Sequence, residues 1–236
     1  MRLDCAGRAL DLRRPAVMGV VNVTPDSFSG DGVGRDLDRA LTQALSMQAA
    51  GAAVIDVGGE STRPASAPVS EQEECDRVLP VIAALARELR VPVSVDTRHA
   101  AVMRAAVRAG AGLINDVSAL RESGALAAAA DLGVPVILMH MRGQPATMQD
   151  HPHYDDVVAE VRGFLAARVR DAVAAGIARE RLLVDPGFGF GKTAAHNLTL
   201  LRHLPELAPP GVAMAVGLSR KSLIGHVTGA PVHERL

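Results

Sequence analysis

Three acceptor side chains, Asp96, Asn115 and Asp185, each close a short apolar run: "VPVSVDT", "LINDVS" and "RLLVDPG". Two carboxylates and an amide converging where water is partly excluded form a wall of acceptors. That wall matches a flat heterocycle with an amidine-like edge of N–H donors, which a carboxylate grips in a bidentate way. Each residue also has a duller use: Asp185 precedes Pro186 and can shape a turn, Asp96 can cap a helix, and "ND" can form an Asx turn. A basic cluster follows in "GLSRKSLIG", residues 217–225, where a strand ends and Ser219, Arg220, Lys221 and Ser222 open a helix. Free N–H groups with basic side chains suit an anion; plain capping beside a solvated basic pair is the other reading. "GGESTRP", residues 58–64, sets hydroxyls and Arg63 after an earlier strand, either as a second anion loop or as an irregular polar one. In "NVTPDSFSGDG", residues 22–32, Asn22 ends a strand and a Gly-containing loop follows, of the kind that serves as a lid. Asn22 can offer an oxygen to a hard cation such as magnesium, shared with a phosphate.

"DPGFGFGKT", residues 185–193, invites comparison with a nucleotide phosphate loop. That pattern needs Gly five residues before the Gly of "GKT", and the position holds Pro186. The eight His are scattered without metal-ligand spacing, and no Gly-x-Ser-x-Gly or Ser/His/Asp pattern supports a hydrolase. No base stands poised to activate a nucleophile. The constellation suits binding, positioning and charge stabilisation of an anionic leaving group. Aromatics are scarce, with four Phe, one Tyr and no Trp, yet Phe28, Phe188 and Phe190 sit in Gly-rich segments. They stack on a flat ligand or tuck under their own loops; the sequence leaves both open.

These residues need a frame. Residues 2–12 alternate as a short hairpin does, and then β-branched runs alternate with Ala-rich amphipathic ones. The strands are "VMGVVNV", "AVIDVGG", "VPVSVDT", "LINDVS", "VPVILMHM", "RLLVDPG" and "VAMAVGLS"; helices include "LDRALTQALSMQAAG", "EECDRVLPVIAALAREL", "AAVMRAAVRAG" and "YDDVVAEVRGFLAARVRDAVAAG". Near-continuous apolar strands separated by helices predict a parallel sheet buried on both faces. Polar residues at or near seven strand ends, Asn22, Asp56, Asp96, Asn115, His140, Asp185 and Ser219, favour one closed mouth, a (β/α)8 TIM barrel, over an open sheet. No linker interrupts the alternation, so residues 1–236 are expected to form a single domain. Between residues 22 and 219 the units average about 33 residues, so an eighth strand would end near residue ~252. The chain is therefore expected to lack the last strand and final helices of the barrel, leaving two unpaired edges, marginal stability and weak turnover.

The bulk numbers exclude several classes. A net charge of -1 gives no footprint for nucleic acid or an anionic membrane. Two cysteines make no disulfide framework, the start lacks a signal-peptide core, and no apolar run spans a membrane. A cytoplasmic protein is expected.

Taken together, "NVTPDSFSGDG", "DVGGESTRP", "SVDTR", "INDVSAL", "LMHMRG", "DPGFGFGKT" and "GLSRKS" resemble the dihydropteroate synthase family, in order from residue 17 to 236. The resemblance implies a barrel that condenses 6-hydroxymethyl-7,8-dihydropterin diphosphate with p-aminobenzoate, releases diphosphate with magnesium, and is the sulfonamide target. By position it implies that Asp96, Asn115 and Asp185 hold the pterin, with Lys221 on its polar edge and Met139 against its face. It likens Asn22 to the magnesium ligand, and Thr62 and Arg63 to residues near the diphosphate and aminobenzoate. Ser222 matches the residue that meets the aminobenzoate carboxylate, and Phe28, Pro64 and Phe190 match walls around the aryl ring. Lys221, Arg63 and Asp185 are the expected catalytic residues, and a homodimer is expected of the full-length form. The family's last strand carries an Arg and His pair, and this chain stops at "HERL" before it. A catalytically impaired pterin-binding fragment and a pterin-dependent methyltransferase barrel are the alternatives.

Overall fold

The computed structural model describes residues 1–24, 36–61, 69–143 and 147–235. The alternating start forms an antiparallel hairpin, β1 (Arg2–Cys5) and β2 (Arg8–Asp11). Seven strands then pair in parallel and in chain order: β3 (Met18–Asn22), β4 (Val54–Gly58), β5 (Val93–Asp96), β6 (Leu113–Asp116), β7 (Val136–Met139), β8 (Leu182–Asp185) and β9 (Ala213–Met214). Each is followed by a helix: α1 (Leu37–Ala49), α2 (Glu71–Glu88), α3 (Ala100–Ala109), α4 (Ala125–Leu132), α5 (Val157–Ala174), α6 (Ala194–Arg202) and α7 (Ser222–Thr228). Parallel strands in sequential order joined by helices are the arrangement of a (β/α) barrel.

Four of the helices start at polar side-chain caps. Asp36, Ser70 and Asp156 accept first-turn amides of α1, α2 and α5, and Thr193 with His196 makes a reciprocal capping box on α6. In α5, Val157, Val161, Leu165, Val169 and Ala172 recur at helical spacing and are buried. They join Val78, Ile82, Leu85, Val102 and Met103 of α2 and α3 against the outer faces of the strands.

The floor of the sheet has its own cluster. Leu3, Cys5 and Leu10 of the hairpin pack on Val54, Leu113, Ile137 and Leu183, all buried. The seventh strand is shorter than "VAMAVGLS" suggests. Pairing with β8 covers Ala213 and Met214, with one further bond from the Ala215 amide to Val184, and the chain beyond runs irregularly to α7. At the sheet's two ends, Val20 and Val216 are exposed.

Candidate active site

Strand register assembles the rim. Asn22 lies opposite Gly58, Gly58 opposite Asp96, and Asp96 opposite Asn115, so one row runs across β3 to β6. Met139 and Asp185 are partners in the same way on β7 and β8. Gly58 leaves a gap in the row: a Cβ there would touch the Asp96 carboxyl at 3.5 Å.

The duller uses fall to neighbours or to single atoms. Asp116 makes the Asx turn, accepting the amides of Ser118 at 2.7 Å and Leu120 at 2.8 Å. That leaves Asn115 to the rim, where its Nδ2 donates to Asp56 Oδ2 at 2.9 Å and its carbonyl oxygen stays available as an acceptor. Helix α3 takes His99 as its N-cap, so Asp96 is not spent on capping. Asp185 does shape its turn, accepting the Gly187 amide at 2.7 Å with Oδ1.

The loop after β8 is held on almost every carbonyl. Gly187 and Phe190 accept from Lys192 Nζ at 2.8 and 3.0 Å, and Gly191 accepts from the Tyr154 hydroxyl at 3.0 Å. Phe188 accepts from Lys221 Nζ, and Gly189 accepts from Gln149 Nε2. Gly187, with φ +67°, lies so close to β7 that a Cβ would overlap the carbonyl oxygen of His140. Phe188 turns inward and is fully buried, so the tucked reading holds for it. Phe190 stays half-buried beside Val117, Met139, Met141 and Met148, with Lys221 Nζ 4.8 Å from its ring centroid.

The basic segment corrects one expectation. The helix opens only at Ser222, an exposed residue; Lys221 is its cap, and Ser219 and Arg220 lie in the irregular stretch before it. Arg220 sits at φ +64° with its amide bonded to the Arg235 carbonyl. His140 also points away from the rim: it is buried, with Nδ1 against Lys192 Nζ at 2.9 Å. Phe28, Thr62, Arg63 and Pro64 lie outside the described residues.

Burial dominates the site's electrostatics. It pushes the Asp96 carboxyl well above the usual range, helped by the nearby carboxylates of Asp56, Glu74, Asp116 and Glu60. Asp56 is also raised by burial, against the pull of Ser94 and Asn115, and its Oδ1 has no hydrogen-bond partner. Asp185 is raised by burial and held back by Lys221, the Gly187 amide and Lys192. Burial lowers Lys221, which Asp185 opposes. The result is a set of acceptors with Lys221 and Lys192 both beside Asp185, suited to a donor-rich planar ligand.

Two residues carry more than sequence reasoning assigned them. Asp56 sits one layer beneath the row, and its signal was a carboxylate inside the apolar run "AVIDVGG". Lys192 is 3% exposed, and its signal was a lone Lys among Gly and Phe.

The sequence pattern of the pterin binding enzyme family matches residues 18–236. The chain is 50% identical to the dihydropteroate synthase of Escherichia coli K12 over 236 residues, which is all of this chain and 84% of that protein. Its fold is similar to the Yersinia pestis dihydropteroate synthase in a sulfonamide drug complex, with TM-score 0.96, 54% identity, and coverage of 100% and 86% of the two chains. It is likewise similar to the Xanthomonas albilineans dihydropteroate synthase in complex with 7,8-dihydropteroate, with TM-score 0.88, 53% identity, and coverage of 100% and 84%.

Proposed function

The chain belongs to the pterin-binding enzyme family, and from that premise we propose how its own residues perform the reaction. The reaction is that of dihydropteroate synthase in folate biosynthesis: 6-hydroxymethyl-7,8-dihydropterin diphosphate and p-aminobenzoate give 7,8-dihydropteroate and diphosphate. Asp185, Asn115 and Asp96 take the N–H edge of the pterin, with Met139 against its face and Lys221 on its polar side. The observation that carries this assignment is the register itself, which sets Asp96 beside Asn115 and Met139 beside Asp185 on one rim.

The electron-rich pterin supports positive charge on its exocyclic methylene as the C–O bond to diphosphate breaks. The aryl amine of p-aminobenzoate then forms the C–N bond and loses its proton to water. An arylamine is nucleophilic enough to attack without a dedicated base. Asp185 and the other acceptors stabilise the pterin cation, while Lys221 and Arg63 favour the departing anion. The family resemblance gives Thr62 and Arg63 to the diphosphate and the aminobenzoate, Ser222 to the aminobenzoate carboxylate, and Phe28, Pro64 and Phe190 to its ring.

Asn22 offers one half-buried oxygen at the strand end. A magnesium ion bound mainly by diphosphate oxygens and water needs only one or two protein ligands, so Asn22 fits that part. Held there, such an ion would supply charge neutralisation to the leaving group. The reading further takes the chain as one pterin-binding domain of a cytoplasmic homodimer; among the described residues no helix is long and apolar enough to cross a membrane. Calorimetry with the pterin diphosphate, followed by a diphosphate-release assay on adding p-aminobenzoate, tests it. Binding without release would leave a pterin-binding protein only, and no binding would sink the assignment.

A further inference from the structure

Lys192 touches neither row of the rim, yet its surroundings are built. Its Nζ donates to two carbonyls of the loop after β8, Gly187 and Phe190, and meets His140 Nδ1 beyond β7. Facing it are Asp185 at the end of β8, Lys221 before α7 and His140, with His196 of α6 and Arg142 in the outer circle. Lys221, the cation on the ligand side, donates to Phe188 within the same loop. The two lysines therefore hold different carbonyls of one loop and both act on the Asp185 carboxylate.

We infer that Lys192 is a positioning residue for the heterocycle: it fixes the loop that carries Phe190 and supplies Asp185 with a second cation. The inference rests on the proposed pterin site and deepens it. Burial lowers Lys192 to about 7, with Asp185 opposing, so its charge is present on the acid side of neutrality; burial raises Asp185, and Lys221, the Gly187 amide and Lys192 hold it back. His140 is held neutral, lowered to about 3 by burial with Lys192 next, and so stays an acceptor for the ammonium. Removing a cation makes a nearby carboxylate harder to form. Without Lys192, binding that depends on ionised Asp185 should fail at a higher pH.

The test is calorimetric titration of the whole chain with 6-hydroxymethyl-7,8-dihydropterin from pH 5 to 8, on wild type, Lys192→Met, Lys192→Arg and Tyr154→Phe. Lys192→Met is expected to move the acid limb of affinity upward by about one pH unit and so to weaken binding roughly tenfold on that limb. Lys192→Arg keeps the charge and should keep the limb. Tyr154→Phe removes a loop tie, that to Gly191, but no charge; it should weaken binding a fewfold with the limb unmoved. A Lys192→Met protein that melts lower but binds with an unmoved limb overturns the inference, as does a limb displaced equally in the Met and Arg variants. If Lys192→Met does not fold, Lys192→Arg decides alone: a retained limb supports the inference and a displaced one overturns it. Wild type that binds no pterin at any pH sinks the functional reading instead.

Discussion

Asp185 shows how much one residue is asked to do. It turns the chain with one oxygen and faces Lys221 with its charge. Asp185→Asn keeps the shape but sets a donor against the donors of the ligand, so pterin affinity should fall by on the order of 2–4 kcal/mol, measured by calorimetry. Asp96 makes the opposite demand on stability. Its carboxyl is raised in the folded state, so the native protein binds more protons than the unfolded chain. Stability is then full below the ordinary carboxylate range and falls as pH rises through the raised value. Asp96→Asn should raise the melting temperature of the empty protein at pH 8 by about 2–4 °C, with the gain shrinking toward pH 5, while pterin binding is lost. The sequence already showed Asp96, Asn115 and Asp185 as a set, because each ends an apolar run. It could not show which duller uses were taken. Asp116 removes the Asx turn from Asn115, and Phe188 leaves the ligand side for the core. Those outcomes depend on side-chain direction, which spacing alone does not carry.

At the scale of elements, the strands were legible because parallel strands buried on both faces read as unbroken apolar runs. Strand β9 was overread, since its apolar run continues after its pairing with β8 has ended. Helices α4 and α6 escape the pattern: the first is mostly Ala, with no polar face to mark a period, and the second is only nine residues long. The loop after β8 was legible as a Gly-rich loop at a strand end, but not the donors that hold it, which come from residues 149, 154, 192 and 221. Its geometry gives a sharp expectation. Gly187→Ala must adopt a left-handed backbone, at about 1–2 kcal/mol, and also push away the His140 carbonyl. Denaturant unfolding should show a loss larger than the backbone term alone, and calorimetry should show pterin binding abolished.

Across the whole molecule, the sealed floor and the candidate binding rim are placed at opposite ends. The hairpin seals the floor with Leu3, Cys5 and Leu10, and the acceptor row occupies the far strand ends. Leu10→Ala should cost about 2–5 kcal/mol in urea unfolding and leave pterin affinity unchanged. A parallel loss of affinity would show that the floor and the rim are coupled. The barrel order was readable from seven alternating units; the sealing of its floor was not, because a two-stranded hairpin declares only its own alternation. The chain has no Trp and one Tyr, and that Tyr154 hydroxyl is bonded to the carbonyl of Gly191. Its ring also lies beneath the Arg142 guanidinium, 4.6 Å from the centroid. The loop after β8 thus has a fluorescent reporter bonded to it from the segment before α5: tyrosine emission, unmasked by any indole, should follow the state of that one loop.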